Sequence, residues 1–316
     1  MGRVAKRRNH AGHITIEHGG AVVRQYAGIA VLDCQDCGFI HQSPLPSAET
    51  VAARYQKDFY AVDKPDYLKK EYVDSDWLFL WHNIELDAIA ESIAAPARWK
   101  KRLLDVGCGF GTFMQNAEER GWATVGIEPS EQANAVLERA KLSCVYGAVE
   151  DTEMEPLGEF AAIRAAWVFE HLADPSAVLE KLKCALMPGG VLEIIVPNDF
   201  TDIQFAAEKE VGVEGYWLHP THINYWNARS LTRFLESAGM RAVRVFATFP
   251  MELFLFGGND YVNDPATGAS AHQQRKTIEL GFAQTEQGRA VLLSLAGAWA
   301  EAGFGRDIIV FARNDE

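Results

Sequence analysis

Asp105, Gly107, Gly109 and Gly111 fall in one stretch, Leu103-Leu104-Asp105-Val106-Gly107-Cys108-Gly109-Phe110-Gly111-Thr112-Phe113. An apolar run ends in an acid, glycines then alternate, and an amphipathic segment begins. That is the pattern of a buried parallel strand turning sharply into a helix beneath a ligand. The spacing constrains the ligand. A dinucleotide loop wants Gly-x-Gly-x-x-Gly, and its third glycine would fall at Thr112. A pyrophosphate seeks bare N–H groups at a helix start and would be repelled by a carboxylate one turn away. A ligand end bearing an ammonium and a carboxylate suits this loop better. The acid and loop carbonyls can hold the first, and glycine N–H groups the second.

A second apolar run, Ala123-Thr124-Val125-Gly126-Ile127, ends in Glu128-Pro129-Ser130. Neighbouring parallel strands share one rim at their carboxyl ends, so Glu128 is placed to accept both hydroxyls of a ribose. A nucleoside joined to an amino acid without phosphate is S-adenosylmethionine. Leu103 to Phe113 resembles the first motif of class I S-adenosylmethionine-dependent methyltransferases. The likeness continues in order through Glu128, Gly147-Ala148-Val149-Glu150-Asp151, Glu170-His171-Leu172-Ala173-Asp174-Pro175 and Met187-Pro188-Gly189-Gly190. It implies a Rossmann-like α/β fold with a seven-stranded sheet and S-adenosylmethionine as cofactor. It also implies cofactor contacts from Asp105, Gly107, Cys108, Gly109, Gly111, Thr112, Phe113, Glu128 and Pro129, and adenine recognition around Val149, Glu150 and Asp151. Ala166 and His171 would flank the fourth strand end, and Tyr60 would cover the cofactor. Ala161 stands where the family usually has an Asp.

A base near a transferred methyl group is most simply a histidine, the side chain that titrates closest to neutral pH. His171 follows the fourth strand, and His219-Pro220-Thr221-His222-Ile223-Asn224-Tyr225 ends a segment expected to lie over the acceptor. The catalytic candidates are His222, His219 and His171, with Tyr225 to orient the acceptor.

Near the N-terminus, Cys34-x-x-Cys37-Gly38 has the form of a zinc knuckle, and His10-Ala11-Gly12-His13 offers two imidazoles at the same spacing. One structural zinc on His10, His13, Cys34 and Cys37 is the expectation. Residues 34–46 resemble the ribbon and Pro-containing segment of bacterial sugar and small-molecule methyltransferases, whose ribbons carry four cysteines.

The elements that must position these residues alternate strand and helix from about 101 to 249, which predicts right-handed βαβ units. The resemblance also implies a seventh strand, antiparallel between the fifth and sixth, for which 307–312 is the candidate. The domain organisation expected is a ribbon-like segment over 1–45, a helical cap over 46–100, a methyltransferase domain over 101–249 plus 306–316, and a helical insertion over 250–305. Within the insertion, Met251 to Phe256 is a candidate wall of the acceptor pocket or a contact in a homodimer.

The chain has 316 residues, 48% hydrophobic and 23% charged, with a formal net charge of −13. That charge argues against a nucleic-acid partner, and no apolar run is long enough for a membrane span. Five scattered cysteines form no disulfide framework and suggest a reducing cytoplasm. The expected activity is methyl transfer to a small molecule or saccharide, most simply to a sugar hydroxyl oxygen. Carbon or nitrogen methylation of a nucleotide-linked sugar or other metabolite is the alternative. A nicotinamide-dependent oxidoreductase or a non-catalytic S-adenosylmethionine-binding module are the rivals from other classes.

Overall fold

The structure is a computed structural model that describes residues 5–8, 14–94 and 101–316. At the N-terminus, β1 (Ala5–Arg8) pairs with β2 (Ile14–Glu17). Next come β3 (Gly20–Tyr26), β4 (Ile29–Cys34) and β5 (Ile40–Ser43), an antiparallel meander. Helix α1 (Ala48–Ala53) is capped by the Ser47 hydroxyl, which accepts the Thr50 N–H, and runs into a π-helical segment, Arg54–Asp63.

The sequence pattern predicts one long helix from Tyr67 to about Ala94, but the structure breaks it into α2 (Tyr67–Val73) and α3 (Ser75–Ser92). Asp74 is the joint, and its carboxylate is drawn to His272, at 2.9 Å, and Lys276. A tertiary ion pair thus decides where the helix ends. Both partners lie about two hundred residues away in the chain.

The cofactor half follows as β6 (Arg102–Val106), α4 (Thr112–Glu119), β7 (Ala123–Glu128), α5 (Glu131–Ala140), β8 (Cys144–Tyr146), β9 (Phe160–Ala166), α6 (Pro175–Ala185) and β10 (Leu186–Pro197). After it come α7 (Asp202–Val211), β11 (Asn224–Tyr225), α8 (Ala228–Ser237) and β12 (Arg241–Ala247). The chain closes through α9 (Glu252–Phe256), α10 (Pro265–Phe282), α11 (Glu286–Ala302) and β13 (Asp307–Arg313).

The main sheet has seven strands in the order β12-β13-β10-β9-β6-β7-β8, with β13 antiparallel to both neighbours and the rest parallel. It is the expected Rossmann-like methyltransferase sheet. From β6 the chain steps outward to β7 and β8, then returns to the other side of β6 as β9. Strand order therefore reverses between β6 and β9, and a crevice opens there at their carboxyl ends. Strand β9 is buried at every residue. Its alanines let helices approach both faces, where two apolar clusters pack.

The small N-terminal sheet is not self-contained. Its order is β11-β5-β4-β3, so Asn224 and Tyr225 pair with His41 and Ile40. The segment carrying the candidate histidines is stitched to the ribbon. The stretch from 199 to 221, expected as a loop or lid, contains α7, whose start is a reciprocal Thr201–Gln204 capping box.

Candidate active site

At the crevice, Gly107 has φ +69° and Gly109 φ +53°, both in the left-handed region. A Cβ on Gly107 would come to 2.7 Å from Val168 Cγ2, and one on Gly109 to 3.0 Å from the Tyr60 hydroxyl. The glycines leave a cradle that any side chain would fill. The Glu128 carboxylate, 4% exposed, accepts the N–H groups of Gly109 and Ser130, each at 2.9 Å. Burial pushes this acid up to about 7; the two N–H groups pull the other way, and Asp105 adds to the rise.

Two adjoining cavities share Phe59, Tyr60, Gly107, Trp167 and His171. The first is lined also by Glu128, Pro129, Val149, Glu150 and Asp151. Its apolar walls come from Val106, Ile127, Val149 and Leu172, with the Glu128 carboxylate as a buried acid among them. The second is lined by Cys108, Gly109, Thr112, Phe113 and Ala166 on the loop side and by His219, Thr221 and His222 on the far side. Tyr60 closes the loop from above, its ring 4.7 Å from Phe110.

Not every expected contact faces these cavities. Asp105 is fully buried beneath the loop, where its Oδ1 lies 3.3 Å from Arg164 Nη1. The acid beside the glycine loop is instead Glu71, which accepts a hydrogen bond from Thr112 Oγ1 at 3.0 Å and lines the second cavity with Arg164. Gly111 does not line either cavity; it starts α4 at φ +81°, against Leu137 and Leu142. The Cys108 thiol turns toward Cys144, 3.9 Å away. Tyr225 is 3% exposed, packs on Phe200 and points its hydroxyl at the His219 carbonyl, 3.5 Å away, so it lines neither cavity. Met251 to Phe256 also lie outside both.

The three histidines do gather. The His171 ring lies 5.0 Å from that of His222, and His222 4.8 Å from His219. Burial holds His171 down at about 4, against the bond to Thr221, and holds His222 at about 2, helped by the two neighbouring imidazoles. Both are neutral at pH 7. His171 Nδ1 meets the Thr221 carbonyl at 3.0 Å, and since a carbonyl only accepts, the proton sits on Nδ1 and the Nε2 lone pair is free to face the cavity. His219 is fixed in the opposite sense, because its Nδ1 accepts the Thr221 N–H at 3.3 Å.

Sequence reasoning passed over several lining residues. Trp167 lines both cavities with φ +55°, a strained conformation at the rim, and donates to Asp307 at 3.3 Å. Lys64, His82 and Arg306 also line the second cavity. Lys64 and His82 come from the helical region before the sheet, and Arg306 from the turn into β13.

At the ribbon, Cys34 and Cys37 are joined by His18 and His41, with all four ligand atoms within 4.8 Å of one another. His18 Nδ1 lies 3.1 Å from Cys37 Sγ, 3.5 Å from Cys34 Sγ and 3.0 Å from His41 Nε2. His41 Nδ1 donates to the Gln42 carbonyl at 2.8 Å, which leaves Nε2 as the ligand nitrogen. The expected partners His10 and His13 lie outside the described residues, and two other imidazoles already complete a four-donor set. The spacing Cys34-x2-Cys37-x3-His41 was the available signal for one of them.

A glycine cradle, a buried acid at the second strand end and a cavity at the strand-order reversal are the features expected of a class I methyltransferase site. The family described as a methyltransferase domain matches residues 80–245, over half of the chain, and the chain belongs to that family. A tRNA U34 carboxymethyltransferase of Alteromonas mediterranea is 25% identical over 234 residues, 65% of this chain and 67% of that protein. A ubiquinone biosynthesis O-methyltransferase of Bradyrhizobium sp. is 32% identical over 101 residues, 31% of this chain. The match spans 40% of that relative's length. Among solved structures, the plantazolicin methyltransferase BamL in complex with a triazolic analogue and SAH has a TM-score of 0.51 at 14% identity, over 84% of this chain and 94% of the other. That last likeness speaks for the fold alone. The protein is an S-adenosylmethionine-dependent methyltransferase. The relatives include a tRNA enzyme by name, so the expected exclusion of nucleic acid partners is not supported. Among the described residues no helix is long and apolar enough to cross a membrane.

Proposed function

We propose that this enzyme methylates a hydroxyl oxygen of a small polar acceptor, with a sugar or glycan precursor as the best-fitting class. The observation that carries this is the far side of the second cavity, where Lys64, His219, Thr221, His222, Arg306 and Asp307 offer donors and acceptors to a polyhydroxylated molecule. Bound S-adenosylmethionine would supply a sulfonium-activated methyl group for the acceptor oxygen. The chain's own residues do the rest. Glu128 holds the ribose, Glu71 and Arg164 suit the ammonium and carboxylate, and Tyr60 and Trp167 help exclude water. Neutral His171 and His222 are positioned to receive or relay the hydroxyl proton.

The test is an acceptor screen with the purified chain, read by mass for a gain of one methyl. Sugars, nucleotide-linked sugars, phenols and tRNA are the arms. Methylated tRNA without any methylated saccharide would overturn the proposal in favour of the second reading, which the Alteromonas relative's name suggests. The formal charge of −13 weighs against that reading, since it repels a phosphate backbone.

We also propose one structural zinc on His18, Cys34, Cys37 and His41. The mixed thiolate and imidazole set suits zinc, and a metal there would brace the ribbon against β11 and so the acceptor side. Unbridged thiols in that set fit a reducing compartment such as the cytoplasm.

A further inference from the structure

Glu170 and His171 face each other across a gap that neither can close. Glu170 is 1% exposed, and among the described residues neither carboxylate oxygen has a hydrogen-bond partner. Its Oε1 lies 3.7 Å from His171 Nε2, too far for a hydrogen bond. The Thr221 carbonyl has already fixed the proton of His171 on Nδ1. The two groups therefore lie side by side in a buried place with no bond between them. The third member is His222, whose buried Nδ1 also lacks a partner among the described residues. One ligand atom from each of the three lies within 4.8 Å of the others.

From this geometry we propose a divalent-cation site formed by Glu170, His171 and His222 at the floor of the acceptor cavity. A separation of 3.7 Å suits two ligands sharing one ion better than it suits any direct contact. Two imidazoles and one carboxylate bind first-row divalent cations, and three protein ligands leave positions open for other molecules. The surroundings are those of a built site. The Nδ1–H of His171 donates to a backbone carbonyl, the arrangement that orients metal-bound imidazoles. The Glu170 carbonyl accepts the N–H groups of Ile223 and Asn224 at 2.7 and 3.0 Å, and the Asn224 side chain donates to the carbonyls of Phe169 and Leu172 at 2.9 and 2.8 Å. These four bonds lock the loop after β9 to the segment bearing His222. The open positions face the cavity proposed for the acceptor, so the ion would take one or two hydroxyl oxygens of it and hold them near the methyl group. With the His171 and His222 lone pairs on the ion, it would replace the free imidazoles by acidifying the bound hydroxyl, whose proton passes to water. This rests on the hydroxyl-acceptor proposal for the identity of the ligand, but not for the presence of the ion.

Titration of the full-length chain with Mn²⁺, followed by the loss of the free-ion paramagnetic resonance signal, tests it. Mn²⁺ disfavours the thiolate set at the ribbon, so the two sites are read apart. About one ion per chain is expected, with broadening of the His171 and His222 ring-proton resonances in the unsubstituted protein. Glu170→Gln and His222→Gln should each weaken Mn²⁺ by about tenfold or more, with S-adenosylmethionine affinity retained as the check on folding. No bound Mn²⁺ in the unsubstituted chain, or binding unchanged in both variants, overturns the site. Mn²⁺ bound there while no hydroxylated acceptor is methylated supports the site and counts against the acceptor proposal instead.

Discussion

The Glu128 carboxylate accepts the backbone N–H of Gly109 at 2.9 Å, so the end of the second strand and the loop after the first form one hydrogen-bonded unit. A cofactor that meets one meets both. Glu128→Ala would remove a charge-assisted bond to the ribose and also free the loop amide. Calorimetry should show S-adenosylmethionine binding weakened by about 1.5–3 kcal/mol in a folded variant. Unchanged affinity would take Glu128 out of the site.

The same residue sets a pH dependence. Ribose hydroxyls donate to the ionised carboxylate, and burial has raised Glu128 to about 7. Cofactor affinity should therefore rise by about tenfold between pH 6 and 8 and level off above that. Tyr60 and Cys108 face the same place, but burial and neighbouring acids hold the tyrosine, and Cys144 and burial the thiol, above their ordinary values, and so out of this window. Glu128→Gln should flatten the profile. For the free protein the sign is opposite: stability from this raised acid is full below its unfolded value and is lost as pH rises through about 7.

Removal of the proposed ribbon zinc is the third measurement. Elemental analysis of protein prepared without chelator should find about one zinc per chain, lost in the Cys34→Ala, Cys37→Ala double variant. Because β11 pairs with β5, the variant should also lose acceptor turnover more than cofactor binding. Zinc-free protein would defeat the assignment.

For the histidines, His222→Ala is expected to lower turnover on the true acceptor by about 10²–10⁴, with cofactor affinity preserved. His219 presents its lone pair to Thr221 rather than to the cavity, so His219→Ala should cost less. The reverse ranking in single-turnover rates would shift the proton-handling role to His219.

Stability hinges on Arg164, which reaches Glu85 at 2.9 Å, Asp105 at 3.3 Å and Glu193 at 3.4 Å, all four side chains buried. Arg164→Met would leave three acids without their cation. A loss of about 3–5 kcal/mol in denaturant unfolding is expected, larger at pH 8 than at pH 5, where the acids can take up protons.

The local pattern around Asp105 to Phe113 was enough to read a strand, a glycine loop and a helix, and the position of Glu128 followed from two parallel strand ends sharing a rim. These features are short-range, set by backbone freedom at glycine and by apolar periodicity within a few residues. The place of β13 followed from the resemblance, which asks for an antiparallel seventh strand, and the apolar run at 307–312 was the candidate for it. What the sequence could not carry was the partner of each buried charge. Asp105 looks like a cofactor ligand until β9 brings Arg164 beneath it, and Glu71 enters only when α2 folds over the loop. His18 and His41 meet the two cysteines because β3, β4 and β5 form a meander, whereas spacing alone pointed to His10 and His13. Tyr225 fell among the catalytic candidates by proximity to His222, yet strand pairing with Ile40 turns it into the small core. A side chain's direction across an element, and the charge waiting there, depend on contacts far apart in the chain, and those are decided only when the sheet closes.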